Sequence, residues 1–368
     1  MSRSLTILGG GNTAFAVAAN LALRGYAVTL CEHPDFAWTL DPIRATGQIK
    51  LLGVAEQGAA TLTHLTTDPQ VACENALLLL IVPAYAHKPF AEFVGPYLRD
   101  GHVVVITPGT LGALEFARIV AEQGNRARII IAETDTAPYV CRKTAPDTAT
   151  IWGVVSGLGL AAFPAHETEQ VAEAVQEIFT VNGRTGTASA ISPYPHVLAC
   201  GLSAMNPVVH PPGVLMNAGR VEQTRGEFYF YDEGVTPTVV QVIYALDGER
   251  RAIGRALGLE LTAVDAAFHA AGFGPRGDLW ATINGSRMLT QLRAPGAINT
   301  RWLTEDIPYG IAAWSLLGAQ LGVATPLMQA LVTLAGAALQ QDFWSLARTP
   351  ERLGLAGLDR EEMVRAIL

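Results

Sequence analysis

Short apolar runs alternate with helix-like stretches along the first half of the chain. Apolar strands that alternate with helices are typical of a parallel sheet covered on both faces. The second half changes to a helical period, with apolar positions three and four residues apart, as in 239–246 and 311–321. The predicted strands lie near residues 4–8, 27–31, 77–81, 103–106, 128–132 and 154–163, and the predicted helices include 89–98, 111–123 and 167–178.

This change of period predicts two domains. A stretch rich in glycine, threonine and serine follows Thr180 and runs to Ser192, so we place the boundary near residue 190. The expected fold class is α/β plus all-α. Residues 1–190 are predicted to form a Rossmann domain with a doubly wound parallel sheet, and residues 191–368 a helical domain. Clusters of proline and glycine, such as 211–213, are predicted to separate the helices of the second domain.

The first predicted strand runs into a Gly-x-Gly-x-x-Ala turn. Gly9 permits a tight turn, Gly11 leaves the backbone open to a pyrophosphate, and Ala14 lets the next helix lie close to the sheet. That helix, predicted from about residue 13 to 23, would direct its unpaired N–H groups and its partial positive charge toward phosphates. Strand, turn and helix together predict a dinucleotide site.

The second predicted strand ends in Glu32. A carboxylate at this position accepts hydrogen bonds from both ribose hydroxyls and repels a 2′-phosphate, which favours NAD over NADP as the cofactor. Loops that follow strands, including those with Pro83 and Thr110, are expected to line the crevice at the carboxyl ends of the strands. The predicted cofactor-binding residues are Gly9, Gly11, Asn12, Thr13, Ala14, Glu32, Pro83 and Ala84.

Composition excludes several functions. The net charge of the 368 residues is −8 and the pI is about 5.5, which argues against nucleic acid or an anionic membrane as a partner. Apolar runs end well short of the roughly 20 residues of a spanning helix, and the N-terminus lacks a signal-peptide pattern. We therefore expect a soluble, cytoplasmic protein. The four cysteines show no C-x-x-C pairing, so we expect free thiols and no metal site.

One segment of the helical half stands out as a candidate for acid–base chemistry. His210 lies between two valines and two prolines in the stretch 205–212, and histidine exchanges protons near neutral pH. So many prolines predict that a helix ends there and that the histidine is held on a restrained segment. His196 is the second candidate.

A catalytic histidine needs an acid to orient it, and the segment 299–310 contains two. Asp306 would fix the tautomer of His210 and stabilise its charged form, as in other His-Asp pairs. Either acid could instead cap a helix entered at Pro308. Spacing alone does not choose between Glu305 and Asp306. Arg301, in the same segment, suits bidentate capture of a substrate carboxylate.

These motifs resemble the opine dehydrogenases, the octopine and nopaline dehydrogenase group. The resemblance implies an enzyme that condenses the amine of an amino acid with an α-keto acid and reduces the imine with NAD(P)H. It also implies a second domain like the C-terminal domain of 6-phosphogluconate dehydrogenase. The matching segments are Gly9 to Asn12, Val82 to Ala84, Asn206 to Pro211, Phe230 to Pro237, Asp247 to Arg250, and Thr304 to Gly310.

The resemblance also implies roles for single residues. The catalytic pair would be His210 and Asp306, the substrate arginine would be Arg301, and Cys141 would lie near the substrate. We further assign substrate binding to Asn206, in the motif around His210, and to Thr110, in a predicted crevice loop. The implied partners are an amino acid and an α-keto acid. A homodimer is compatible with the sequence, which does not fix the oligomeric state.

Two other interpretations stay open. Hydroxyacid, glycerol-phosphate and ketopantoate dehydrogenases resemble this architecture but use a lysine from the helical domain, and here no lysine follows Lys143. A 2-hydroxy acid dehydrogenase that uses His210 would still be compatible with the residues. The second is a non-catalytic NAD-binding protein, against which the set of His210, Asp306 and Arg301 argues.

Overall fold

The apolar runs of the first half form the strands of a large sheet. The computed structural model describes residues 3–180 and 190–368, and the chain divides into two compact units, Met1–Val197 and Leu198–Leu368. The strands are β1 Ser4–Leu8, β2 Ala27–Cys31, β3 Gln48–Gly53, β4 Gly58–Thr61, β5 His64–Thr66, β6 Leu77–Leu80, β7 Val103–Ile106, β8 Ile130–Thr134, β9 Tyr139–Ala145, β10 Thr148–Val154, β11 Gly157–Phe163 and β12 Ala190–Pro193.

The sheet of the first unit has the strand order of a dinucleotide-binding fold. Its order is β12-β11-β8-β7-β6-β1-β2-β5, and the six strands from β8 to β5 are parallel. Counted along the chain, these six give the order 3-2-1-4-5-6, which reverses direction between β1 and β6. The helices of this unit are α1 Asn12–Leu23, α2 Asp41–Arg44, α3 Pro69–Ala72, α4 His87–Val94, α5 Gly112–Glu122 and α6 Thr168–Phe179. The Rossmann prediction is confirmed.

Two features of this unit differ from the prediction. Strand β11 pairs antiparallel with β8, with Leu160 opposite Thr134, so the expected parallel continuation is wrong for this strand. A second sheet, ordered β4-β3-β10-β9, has no counterpart in the prediction. Its strands carry polar and exposed residues on one face, as in the alternating burial of β3, and the strong apolar signal of central strands is missing. Helix α1 packs against this second sheet.

The second unit is built from helices, as predicted. Among its described residues, the strand-like pairing is one isolated bridge between Tyr229 and Arg293. Helix α7, Val197–Leu202, begins at the unit boundary, and π-helical segments span Phe230–Gly234 and Asp306–Ala312. The other helices are α8 Asn206–Met216, α9 Ala218–Thr224, α10 Pro237–Ala256, α11 Val264–Ala270, α12 Leu279–Asn284, α13 Arg301–Thr304, α14 Ala313–Gln320, α15 Pro326–Leu339, α16 Phe343–Leu346 and α17 Arg360–Ile367.

The proline cluster after His210 does not end a helix. Helix α8 continues through Pro211 and Pro212 to Met216, so the prediction of a break there is wrong. The residues around the two prolines are buried, and tertiary packing therefore outweighs the cost of the missing N–H groups. The predicted exit from the first domain, after Thr180, falls largely on residues 181–189, which lie outside the described residues. Within the described part of the chain, every helix is too short or too polar to cross a bilayer.

Candidate active site and cofactor turn

The glycine turn lies where the strand order of the first sheet reverses. Gly9 has a φ of 115°, and a Cβ built on it would lie 2.6 Å from Val82 Cγ1 and 2.7 Å from the Ile81 carbonyl oxygen. The Gly9 N–H donates to the Cys31 carbonyl at 2.8 Å. Only glycine fits here, because both the left-handed backbone and the contact with the loop after β6 exclude a side chain.

Gly11 differs from Gly9 in its surroundings. It precedes α1 with an extended backbone, and a Cβ built on it would meet no protein atom within 4 Å. Ala14 is completely buried, as expected for a residue that holds α1 close to the sheet. The loop from β6 continues through Pro83 into a 3₁₀ helix that begins at Ala84. The turn therefore contacts the loop after β6 closely at Gly9, whereas no protein atom covers the Cβ position of Gly11.

Glu32 follows β2 directly and is only 5% exposed. Its Oε1 accepts from the His33 N–H at 2.9 Å, and its Oε2 accepts from the Thr39 hydroxyl at 3.1 Å. Burial raises the pKa of the Glu32 carboxyl, while these hydrogen bonds favour the ionised form. The carboxylate is thus held in a fixed position beside the glycine turn.

Strand β9 covers the first turns of α1. The Lys143 N–H donates to Asn12 Oδ1 at 2.9 Å, and the Lys143 ammonium lies 3.3 Å from the centre of the Phe15 ring. Burial lowers the pKa of Lys143 to about 8, and the charge of Glu32 opposes this effect. The sequence contained no local signal for Lys143, because it belongs to a strand that was not predicted.

Cys141, on the same strand, contacts α1. Its Sγ lies 3.7 Å from the hydroxyl of Thr13. Burial raises the pKa of the Cys141 thiol to about 11, with the Thr13 contact opposing, so the thiol is neutral at physiological pH. Cys141 is therefore a neutral polar contact to α1.

Thr110 lies in a strained turn before α5. Thr110 and Leu111 both have positive φ angles, 50° and 68°. The fully buried Glu133 accepts from the N–H groups of Leu111 and Ala113, each at 2.9 Å. A carboxylate that binds the first N–H groups of a helix stabilises its N-terminus, so Glu133 holds this turn in its conformation.

The second unit pairs His210 with Asp306. His210 Nδ1 lies 2.8 Å from Asp306 Oδ2, and each side chain is 12% exposed. An ionised carboxylate only accepts, so Nδ1 carries the hydrogen of this bond. Burial raises the pKa of Asp306, and the hydrogen bond from His210 opposes this effect. The geometry chooses Asp306, whereas Glu305 pairs with Arg301.

A close approach of two helices creates this pair. Gly310 lies one turn beyond Asp306, and a Cβ built on it would collide with the ring of Pro207, three residues before His210. The absence of a side chain at Gly310 lets the segment Asp306–Ala312 pack directly against α8. This segment is π-helical, a form common at functional sites.

Two aromatic residues complete the surroundings of His210, and neither was assigned a role from the sequence. The Tyr231 hydroxyl lies 3.1 Å from His210 Nε2. The Trp302 ring is stacked on the imidazole with centroids 4.4 Å apart and planes 6° apart. Phe230 in turn packs edge-on against Trp302 at 4.6 Å. Tyr231 lies in a segment that resembles the opine dehydrogenases and Trp302 lies next to Arg301 in the segment 299–310, but the spacing of neither residue indicates contact with His210.

The remaining predicted residues of the substrate and histidine assignments are Arg301, Asn206 and His196, and they differ in exposure. Arg301 is 56% exposed, and its Nε donates to Glu305 Oε2 at 2.6 Å. Asn206 is exposed and lies four residues before His210 on α8, so the two side chains share a face. His196 is buried in the first unit, just before α7. Within residues 3–180 and 190–368, no group of three His, Cys, Asp or Glu side chains could hold a metal ion.

A Rossmann-type unit with a glycine turn, followed by a helical unit with an aspartate-paired histidine, defines a dehydrogenase. The family model of the NAD/NADP octopine/nopaline dehydrogenase alpha-helical domain matches residues 193–339. The opine dehydrogenase of Arthrobacter sp. (strain 1C) is 31% identical over 97% of this chain and 96% of its own. This chain belongs to the opine dehydrogenase family of oxidoreductases.

Solved structures show the same fold. The octopine dehydrogenase structure with NADH and L-arginine superposes with a TM-score of 0.77 at 20% identity, covering 98% of each chain. A yersinopine dehydrogenase structure with NADP+ bound reaches 0.73 at 16% identity, covering 100% of this chain and 98% of the other. The likeness extends over both units of the chain.

Proposed function

We propose that this enzyme condenses the amine of an amino acid with an α-keto acid and reduces the imine with NADH, and that His210 and Asp306 carry its proton transfers. The hydrogen bond of 2.8 Å between His210 and Asp306 is the observation that supports this most directly. It joins residues 96 positions apart whose side chains are each only 12% exposed, where a structural core would ordinarily hold apolar side chains.

The proton chemistry follows from the state of the imidazole. Asp306 holds the hydrogen on Nδ1, so Nε2 is the nitrogen that takes up or releases a proton. Imine formation needs a proton on the oxygen that leaves as water, and the imidazolium form of His210 supplies one. Asp306 stabilises that positive charge, and the Trp302 ring stacked on the imidazole fixes its plane.

The residues of the cofactor turn fit a dinucleotide. Gly9 and Ala14 hold the turn and α1 against the sheet, whereas the backbone at Gly11 is accessible on the side away from protein atoms. Asn12 and Thr13 begin the helix whose N–H groups would bind the pyrophosphate. NADH, when bound, would supply the hydride that reduces the imine.

Glu32 favours NAD over NADP in this proposal. Its carboxylate is fixed beside Gly10 and would accept hydrogen bonds from the ribose hydroxyls. A 2′-phosphate there would meet a buried negative charge. Pro83 and Ala84 would form the neighbouring wall, since their loop packs against Gly9.

Four residues are proposed for substrate binding. Arg301 would pair with a substrate carboxylate after leaving Glu305, which its exposure permits. Asn206 would present its amide on the same helix face as His210. In the first unit, Cys141 would act as a neutral polar contact and Thr110 as a hydroxyl held by a rigid turn. A cytoplasmic location and a homodimer stay predictions.

A substrate panel tests the proposed function. Oxidation of NADH is followed by absorbance with an α-keto acid alone, with an amino acid alone, and with both. We expect turnover only with both. Turnover with the keto acid alone would instead identify a 2-hydroxy acid dehydrogenase, and tight NADH binding without turnover for any pair would indicate a non-catalytic protein.

A further inference from the structure

The contact between Tyr231 and His210 has no role in the mechanism above. The Tyr231 hydroxyl lies 3.1 Å from Nε2, the nitrogen that must exchange the proton. Tyr231 is only 5% exposed, and its ring packs edge-on against Phe230 at 5.1 Å and near Trp302 at 6.5 Å. A phenol is thus held firmly at the reactive end of the imidazole.

A hydroxyl suits both protonation states of His210. In the neutral imidazole, Nδ1–H donates to Asp306, so the Nε2 lone pair accepts from the Tyr231 O–H. In the imidazolium, Nε2–H donates and the phenol oxygen accepts. Rotation of the O–H bond switches between the two arrangements, because a hydroxyl both donates and accepts. The hydrogen bond therefore persists while the charge on His210 changes.

We infer that Tyr231 relays the proton between His210 Nε2 and the substrate oxygen, an inference that rests on the proposed function. In the dehydration step, the Tyr231 O–H bond breaks as its proton moves to the departing hydroxyl of the carbinolamine. The Nε2–H proton moves to the phenol oxygen, and the amine lone pair forms the C=N bond as water leaves. His210 ends neutral and Tyr231 is regenerated.

The surroundings of Tyr231 keep it in the form that a relay requires. Burial, and secondarily the negative charge of Asp306, raise the pKa of the Tyr231 hydroxyl, so it keeps its proton at neutral pH. Its packed ring also opposes the alternative in which substrate pushes the phenol aside to reach Nε2 directly. Such a displacement would have to move Tyr231 against Phe230 and Trp302.

The variant Tyr231→Phe removes the oxygen and keeps the ring. Tyr244→Phe is the matched control, because the Tyr244 hydroxyl also takes part in a hydrogen bond of the helical unit, which it accepts from the Leu279 N–H at 2.7 Å. We expect Tyr231→Phe to lower kcat by at least about 100-fold with little change in KM, and Tyr244→Phe to leave both unchanged. An unchanged or higher kcat in Tyr231→Phe would overturn the relay, as would a change confined to KM.

A measurement without substrate separates this inference from the proposed function. In protein with ¹⁵N-labelled histidine, the Nε2 resonance of His210 should move in Tyr231→Phe and stay in place in Tyr244→Phe. If the wild-type protein turned over no substrate pair, the proposed function would fail, and this spectrum would still decide whether Tyr231 binds Nε2. An unchanged Nε2 resonance would contradict the inference.

A third measurement needs no variant, in case Tyr231→Phe does not fold. The wild-type kcat is measured in mixtures of H₂O and D₂O. If two protons transfer in the same step, as the relay requires, kcat should depend on the deuterium fraction along a curve. A straight line, which one moving proton gives, would rule the relay out.

Discussion

The cofactor turn, Gly9 to Ala14, and the His210 cluster, which consists of His210, Tyr231 and Asp306, are built in opposite ways. The turn comes from one continuous stretch and uses mainly backbone. The cluster joins His210 to Tyr231, 21 positions later, and to Asp306, 96 positions later, and uses side chains. The shape of a site built from backbone depends on which of its residues lack a side chain. The geometry of a site built from side chains depends on the distance and angle at which its helices pack.

This difference predicts how each region responds to substitution. In the turn, an added methyl group alters shape, so its cost depends on the free space at that glycine. In the His210 cluster, removal of one polar group leaves its largely buried partner without a hydrogen bond, which costs about 1–3 kcal/mol for a neutral group and more for a charged one. Variants of His210, of the two glycines, of Arg301 and of Lys143 test this contrast, and their expected effects decrease in that order.

His210→Ala is expected to have the largest effect on the rate. General acid–base assistance typically contributes about 10²–10⁴-fold, so kcat should fall by at least about 100-fold. The dissociation constant for NADH should stay nearly unchanged, because no residue of the cofactor turn is altered. Steady-state kinetics and NADH fluorescence titration measure the two quantities. A normal kcat would remove His210 from the proposed mechanism.

The two glycines of the turn offer the next test, since they differ in free space. Gly9→Ala places a methyl group 2.6 Å from Val82 at a φ of 115°, so it should lower the free energy of unfolding by about 1–3 kcal/mol. Gly11→Ala meets no protein atom within 4 Å and should change stability by less than about 0.5 kcal/mol. Its methyl group should nevertheless weaken NADH binding by more than about tenfold, or 1.4 kcal/mol.

Denaturant unfolding and NADH titration of both variants separate the two effects. Equal losses of stability in Gly9→Ala and Gly11→Ala would show that the glycines do not differ as their contacts indicate. Normal NADH affinity in Gly11→Ala would show that the pyrophosphate does not approach that backbone.

The cofactor turn could be predicted from the sequence because its residues are neighbours. Gly9, Gly11 and Ala14 follow one strand at fixed spacing, and Glu32 ends the next strand. The second sheet could not be predicted in the same way. Its strands pair residues far apart, such as Lys50 with Thr148, and one face of β3 is exposed, so they lack the apolar runs of the central strands.

The His210 cluster was predicted only in part. Local context singled out His210, but spacing alone did not choose between Glu305 and Asp306, because neighbouring residues differ only in the direction of their side chains; Asp306 was assigned through the family resemblance. The choice depends on the contact of Gly310 with Pro207, a packing detail between distant helices. Packing also explains why Pro211 and Pro212 continue a helix, since they and their neighbours Gly213 and Val214 are buried and this burial offsets their local cost.

Arg301→Ala should have a smaller effect, confined to substrate binding. We expect the KM for the keto acid to rise by about tenfold, the effect of losing a charge-assisted hydrogen bond worth about 1.5 kcal/mol, with kcat nearly unchanged. Arg118→Ala is the matched control, because Arg118 Nε and Glu122 also form an exposed i,i+4 pair at 2.6 Å. Equal kinetics for both variants would show that Arg301 only pairs with Glu305.

The smallest predicted effect concerns the pH dependence of NADH binding. The pKa of Lys143 is lowered to about 8, so its ammonium is charged below this pH and neutral above it. Since Lys143 lies beside Asn12 and Phe15 on the cofactor helix, its positive charge should favour the NADH pyrophosphate. NADH affinity should therefore fall by about two- to fivefold as pH rises through 8, as expected for a partly exposed charge pair worth under about 1 kcal/mol.

Lys143→Met should remove this pH dependence and leave a constant affinity near the value of the wild type at high pH. Lys88→Met is the control, because Lys88 is 62% exposed and pairs with Glu92 on α4. Added salt should reduce the difference between wild type and Lys143→Met, since it screens partly exposed charges. A pH profile that persists in Lys143→Met would assign the titration to another group. Loss of the profile in Lys143→Met would show instead that even this backbone-dominated turn depends on a side chain from strand β9.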